Sequence, residues 1–75
     1  MNADLLNELK QHVGEFEGRL MWLEDSLADL GYGSHADGNA VTVYNDNEKE
    51  IATIEIEFVG NDGSDEIKVS GIEVR

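Results

Sequence analysis

Leu6, Leu9, Val13, Phe16, Leu20, Leu23, Leu27 and Leu30 recur at alternating steps of three and four. Apolar residues at that period line one stripe of a helix, so the pattern predicts a single helix over residues 2–30, about eight turns long. Asn2 is placed to cap its N-terminus, Asp4 and Glu8 lie near the positive end of its dipole, and Gly31 and Gly33 mark its exit. In heptad notation Leu6, Val13, Leu20 and Leu27 take position a, and Leu9, Phe16, Leu23 and Leu30 take d. Gly14 and Gly18 fall away from the stripe. Each costs about 1 kcal/mol against Ala in a helix, and a kink or a split into two shorter helices is the alternative there.

After Tyr32 the period changes. Residues Tyr32 to Asn39, YGSHADGN, are polar and glycine-bearing and read as a loop. Three runs then alternate apolar and polar positions, as half-buried strands do. The first, Ala40 to Tyr44, sets Val41 and Val43 against Thr42 and Tyr44. The second, Lys49 to Val59, sets Ala52, Ile54, Ile56 and Phe58 against Thr53, Glu55, Glu57 and Val59. Asn45 to Glu48 supplies the turn between them, and Asp62-Gly63 is a hairpin signal before the third run, Glu66 to Val74. There Ile67 and Val69 fall out of step with Ile72 and Val74, and a β-bulge at Gly71 returns all four to one face.

The expected fold is therefore α+β: one long N-terminal helix packed on a three-stranded antiparallel β-meander (αβββ). Residues 1–75 form a single domain, with the helix over 2–30 and the sheet over 40–75. A helix of that length spans ~42 Å, whereas a ten-residue strand spans ~33 Å, so part of the stripe overhangs the sheet. Leu5, Leu6 and Leu9 are the expected overhang. Together with Val13 and Phe16 they form an expected interface with a second copy of the chain.

Charge changes the picture more than any motif. Seventeen Asp and Glu against five Lys and Arg give a net charge of −12. Such an excess repels nucleic acid and anionic membranes, since phosphate neutralisation needs the opposite sign. The chain has no cysteine, so disulfides and thiolate metal sites are excluded, and a reducing cytoplasm is the expected compartment. No apolar run approaches the ~20 residues of a membrane span, and no secretory signal opens the chain.

Candidate chemistry is sparse. Glu55 and Glu57 share the solvent face of the central strand about 6.7 Å apart, which reads as a solvated face or as a row of carboxylates standing in for backbone phosphates. The acidic loops NDNEKE and GNDGSDE lack the spacing by which an EF-hand converges its oxygens on calcium. His12 and His35 lack further ligands for zinc, and Ser34, His35 and Asp37 crowd one loop, whereas a catalytic triad converges from separate elements. Trp22 falls off the stripe beside Met21 and near the Gly14 and Gly18 notch, where it reads as a docking residue or as packing at the sheet edge.

No phosphate loop, nucleophile elbow or metal cluster is present, so neither catalysis nor a cofactor is expected. The expectation is an inhibitor or modulator steered to a basic, nucleic-acid-binding protein by Glu55, Glu57, Asp62, Asp65, Glu66 and Glu73, with Trp22 at its margin. Small acidic proteins of phages and mobile elements that block restriction enzymes, CRISPR effectors or DNA-repair enzymes are similar in size, charge and lack of motif. The alternatives are a homodimeric adaptor built on the helix, with acidity serving only solubility, and an adaptation to high salt.

Overall fold

The computed structural model describes residues 3–60 and 65–75. Two helices, α1 (Ala3–Val13) and α2 (Leu20–Asp29), accompany five strands: β1 (Glu17–Arg19), β2 (Gly33–Asp37), β3 (Ala40–Tyr44), β4 (Glu50–Phe58) and β5 (Glu66–Val74). The strands form one antiparallel sheet in the order β1-β5-β4-β3-β2. The chain is α+β, but the single helix expected over residues 2–30 is two helices, and the expected three-stranded meander is the centre of a five-stranded sheet. Asn2, expected as the cap, lies outside the described residues.

The helix breaks where its glycines sit. The backbone N–H of Gly14 donates to the Lys10 carbonyl at 3.0 Å and closes α1. The chain then turns, Phe16 N–H donating to the Val13 carbonyl, and residues 17–19 pair with Lys68, Ile67 and Glu66 of β5. The Phe16 carbonyl accepts from Val69 N–H at 3.0 Å. Two glycines lower helix propensity by about 2 kcal/mol over this short stretch, and the open edge of β5 offers backbone partners in exchange. The stripe survives the break because both helices turn it to the sheet: Leu9 and Val13 from α1 and Leu23 and Leu27 from α2 are all buried.

At its start α2 has no side-chain cap, and the Asp65 carbonyl accepts from Leu20 N–H at 3.0 Å instead. The end of α2 follows expectation. Gly31 adopts φ 90, Tyr32 N–H donates to the Leu27 carbonyl and Gly31 N–H to that of Ala28, which together make a Schellman motif.

β3, β4 and β5 occupy the three runs read from alternation. The slip at Ser70-Gly71 is also present: Glu55 pairs with Gly71 and Ile56 with Val69, leaving Ser70 as the extra residue. β2 was expected as loop. It pairs along β3 from Gly33↔Tyr44 to Asp37↔Ala40, through a two-residue turn whose first position is Gly38 at φ 62.

One apolar cluster joins the helices to a single face of the sheet, with Val41, Val43, Ala52, Ile54, Ile56, Ile67 and Val69 as its buried strand residues. Among the described residues no polar or charged side chain is buried. Phe58, expected on that face with Ile54 and Ile56, is 52% exposed as the last residue of β4.

Candidate interaction surface

Both helices pack on the inner face, so the residues that alternate with the core point outward. The register fixes their neighbours. Glu57 stands opposite Lys68, which stands opposite Glu17; Asp37, Ala40 and Glu55 share a row that ends on Gly71; Thr53 stands opposite Glu73, Tyr44 opposite Glu50, and Arg19 opposite Glu66. Adjacent strands lie about 4.8 Å apart and alternate residues along a strand about 6.8 Å apart, so these carboxylates form a close two-dimensional array.

Glu55, Glu57, Glu66 and Glu73 are all exposed. Glu55 lies across the bulge: a Cβ placed on Gly71 would sit 3.6 Å from each of its carboxylate oxygens. Glycine at this position therefore leaves the Glu55 carboxylate room to lie over β5. At one corner Arg75 approaches Glu50 at 3.9 Å and donates to the Thr53 hydroxyl at 2.6 Å.

Three acidic members of this face were not expected from the sequence. Glu17, Asp37 and Glu50 come from segments read as helix, loop and strand margin, and only their pairing brings them to the array. The signal that could have found Asp37 is Asp37-Gly38, a hairpin dipeptide followed directly by an apolar-alternating run. Asp65 is exposed and its backbone anchors α2, whereas Asp62 lies outside the described residues.

Trp22 stands on α2, 54% exposed, with its ring over Gly18: a Cβ there would lie 3.2 Å from Trp22 Cε3. The Arg19 guanidinium lies 5.9 Å from the ring centroid, within cation–π range. Of the residues expected to pair with a second copy, Leu9 and Val13 are wholly buried. Leu5 and Phe16 pack against the same core, and Leu6 is half-buried. The surface that a heptad seam would offer is thus largely occupied by the chain's own sheet.

The remaining candidates do not converge. Strand alternation sets Ser34 on the opposite face from His35 and Asp37, and His12 lies apart on α1. Among the described residues no three His, Cys, Asp or Glu side chains gather to hold a metal ion, and no helix is long and apolar enough to cross a membrane. An open groove of about 750 Å³ runs between the C-terminal end of α1 and the bulge, lined by Lys10, His12 and Glu15 with Phe16, Ser70 and Ile72. No unpartnered buried polar atom is present among the described residues to orient a ligand in it.

One titration is displaced. The Tyr32 hydroxyl is held above its ordinary value by its hydrogen bond to Glu8, then by burial and by the charges of Glu8 and Asp46. No known protein family, characterised protein or solved structure matches this chain.

Proposed function

We propose that this chain acts by binding, as an inhibitor or modulator whose acidic outer sheet face occupies the basic, nucleic-acid-binding surface of a partner protein. The observation that supports this most is the asymmetry of the sheet. One face is covered by both helices and holds the buried core, and the other is left open to solvent with Glu55, Glu57 and Glu73 exposed upon it. A rigid sheet holds these charges at fixed spacing. A partner then meets an anionic surface without the ordering entropy that a flexible acidic tail would lose. Long-range attraction from a net charge of −12 speeds the encounter with a cationic site and keeps acidic competitors away. The same reading assigns the chain no catalysis and no cofactor.

The test compares the native chain with a variant carrying Glu55→Gln, Glu57→Gln, Asp65→Asn and Glu73→Gln. Both are immobilised and presented with a host lysate at low and high salt. The expected result is capture of nucleic-acid-binding proteins by the native chain, lost at high salt and in the variant, with nucleic acid competing for the captured protein. Capture that ignores both salt and the substitutions rejects the reading.

A further inference from the structure

β2 is an outer strand of the sheet, and its free side carries backbone groups with no partner. The Asn39 carbonyl accepts from Ile56 N–H at 2.8 Å, beside the pair Ala40↔Glu55. A bond that flanks a pair in this way marks it as the non-hydrogen-bonded kind, so the N–H and C=O of Ala40 turn to the other side, toward Asp37. Alternation from there aims the backbone of Gly33, His35 and Asp37 at β3 and that of Ser34 and Ala36 away from the sheet. Among the described residues nothing bonds to the outward N–H and C=O groups of Ser34 and Ala36.

An open edge accepts another strand, and sheets ordinarily blunt it with Lys, Pro, a bulge or an inward charge. β2 has none of these: GSHAD pairs with β3 in unbroken register, and Asp37 points outward. At the opposite edge β1 is three residues long, carries Glu17 and Arg19, and runs straight into α2. Charge sets β2 apart further. Between Asp29 and Asp46 the sequence holds no Lys or Arg and a single carboxylate, Asp37, in a chain of net charge −12. A second anionic copy is therefore repelled least along this edge, and a basic protein finds least there to attract it.

β2 is also complementary to itself. When two β2 strands run antiparallel, the register that employs every free group sets Ser34 against Ala36 of the second copy and Ala36 against its Ser34. His35 then faces its own counterpart across a two-fold axis. Asp37 faces Gly33 of the second copy, which has no side chain, and stands diagonal to the imidazole of its His35. No carboxylate meets a carboxylate across this seam, and on the inner side only the small Ser34 and Ala36 meet.

We propose that β2 pairs with β2 of a second copy about a two-fold axis at His35, joining the two sheets into one. Both outer faces then lie on the same side, and the anionic surface is doubled without a break. The pairing stands whether or not that surface meets a basic partner.

Hydrogen bonding along one short strand makes a small contact, so a weak dimer is expected. At ~0.15 M salt, where the screening length is ~8 Å, sedimentation equilibrium should show the mass rising from 8.3 kDa toward twice that value between about 10 µM and about 1 mM. His35→Glu sets two added carboxylates opposite one another and beside Asp37, and is expected to raise the dissociation constant about tenfold. Ala36→Pro removes an outward N–H and no bond to β3, and should hold the mass at 8.3 kDa with unchanged far-ultraviolet circular dichroism. His35→Cys, in a chain otherwise free of cysteine, brings two Cα atoms about 4.5 Å apart, within disulfide range. Under a mild oxidant it should cross-link at least about tenfold faster than Asn47→Cys on the exposed β3–β4 turn. Should Ala36→Pro alter the dichroism, His35→Glu and the cross-link decide alone. A mass fixed at 8.3 kDa throughout overturns the pairing. So does a rise that the substitutions leave intact, or equal cross-linking at the two sites, since either places the contact elsewhere. Loss of lysate capture on Ala36→Pro, by a chain that stays monomeric, overturns it in favour of a strand from another protein.

Discussion

The Tyr32 hydroxyl donates a 2.6 Å hydrogen bond to Oε1 of Glu8 and so ties the exit of α2 to the first half of α1. Apart from the core, this contact couples the two helices that the Gly14 to Arg19 segment separates. The carboxylate accepts more strongly than a neutral oxygen, and the phenol keeps its proton above the ordinary value near 10. Below pH ~10 both folded and unfolded chains hold that proton and the contribution is complete. As pH rises further the unfolded phenol ionises first, so stability falls until the folded one follows. Tyr32→Phe is expected to cost about 1 kcal/mol near neutral pH and to make the alkaline fall shallower, measured by urea unfolding at about pH 8 and about pH 11. A fall of equal steepness in the variant rejects the assignment.

Gly14 gives the sharpest test of the broken helix. Were residues 2–30 one continuous helix, Gly14→Ala would add about 1 kcal/mol of stability by propensity alone. In the observed fold a Cβ at this position lies 2.4 Å from the Lys10 carbonyl oxygen, a backbone atom that cannot step aside. Gly14→Ala is therefore expected to destabilise by about 1–3 kcal/mol, read from the shift in urea midpoint. The sign alone decides between the two arrangements.

The same glycines explain what the sequence did and did not disclose. Periodicity reports which residues meet the core, and it did so correctly for Leu9, Val13, Leu23 and Leu27. It carries no information on whether they share one axis, because a three-residue strand at Glu17–Arg19 returns the chain to the sheet with the stripe still in phase. β2 was hidden for another reason: Gly33, Ala36 and Asp37 have poor strand propensity, and only the partner β3 makes them a strand. The bulge at Ser70 was legible because a slip in a period of two cannot be hidden. Of the outer face, Glu55, Glu57, Glu66 and Glu73 on β4 and β5 were legible from alternation, whereas Glu50 reaches it through the register shift beside Tyr44. Glu17 depends on a pairing that no local pattern encodes, and Asp37 was marked only by the Asp37-Gly38 dipeptide ahead of β3.

Glu48 closes the β3–β4 turn with φ 60, the one non-glycine among the described residues with positive φ. Asn45 organises the same turn, its Oδ1 accepting from Asn47 N–H at 2.9 Å and Lys49 N–H at 3.1 Å. A side chain in the left-handed region costs about 1 kcal/mol, and Glu48 recovers nothing visible for it. Glu48→Gly is expected to raise stability by roughly 0.5–1 kcal/mol and Tm by a few degrees, in spite of glycine's larger unfolded-state entropy. An unchanged or lowered Tm in thermal unfolding contradicts this.

The exposed carboxylates that suit a cationic partner also repel one another in the free chain. With a net charge of −12, and Glu55, Glu57 and Glu73 crowded on one face, the folded state carries self-repulsion that expansion relieves. Raising ionic strength from about 0.01 to 0.15 M shortens the screening length from ~30 to ~8 Å, which exceeds the spacing of neighbours but not that across the molecule. The long-range part is therefore removed while contacts such as Arg75 with Glu50 remain. Stability is expected to rise over this range, with the urea midpoint increasing and the slope of the transition unchanged. The quadruple variant, four charges closer to neutral, should start from a higher midpoint and gain less from salt. Equal gains in both proteins would mean that the rise comes from general salting-out of apolar surface, and the outer face would then carry no special repulsion.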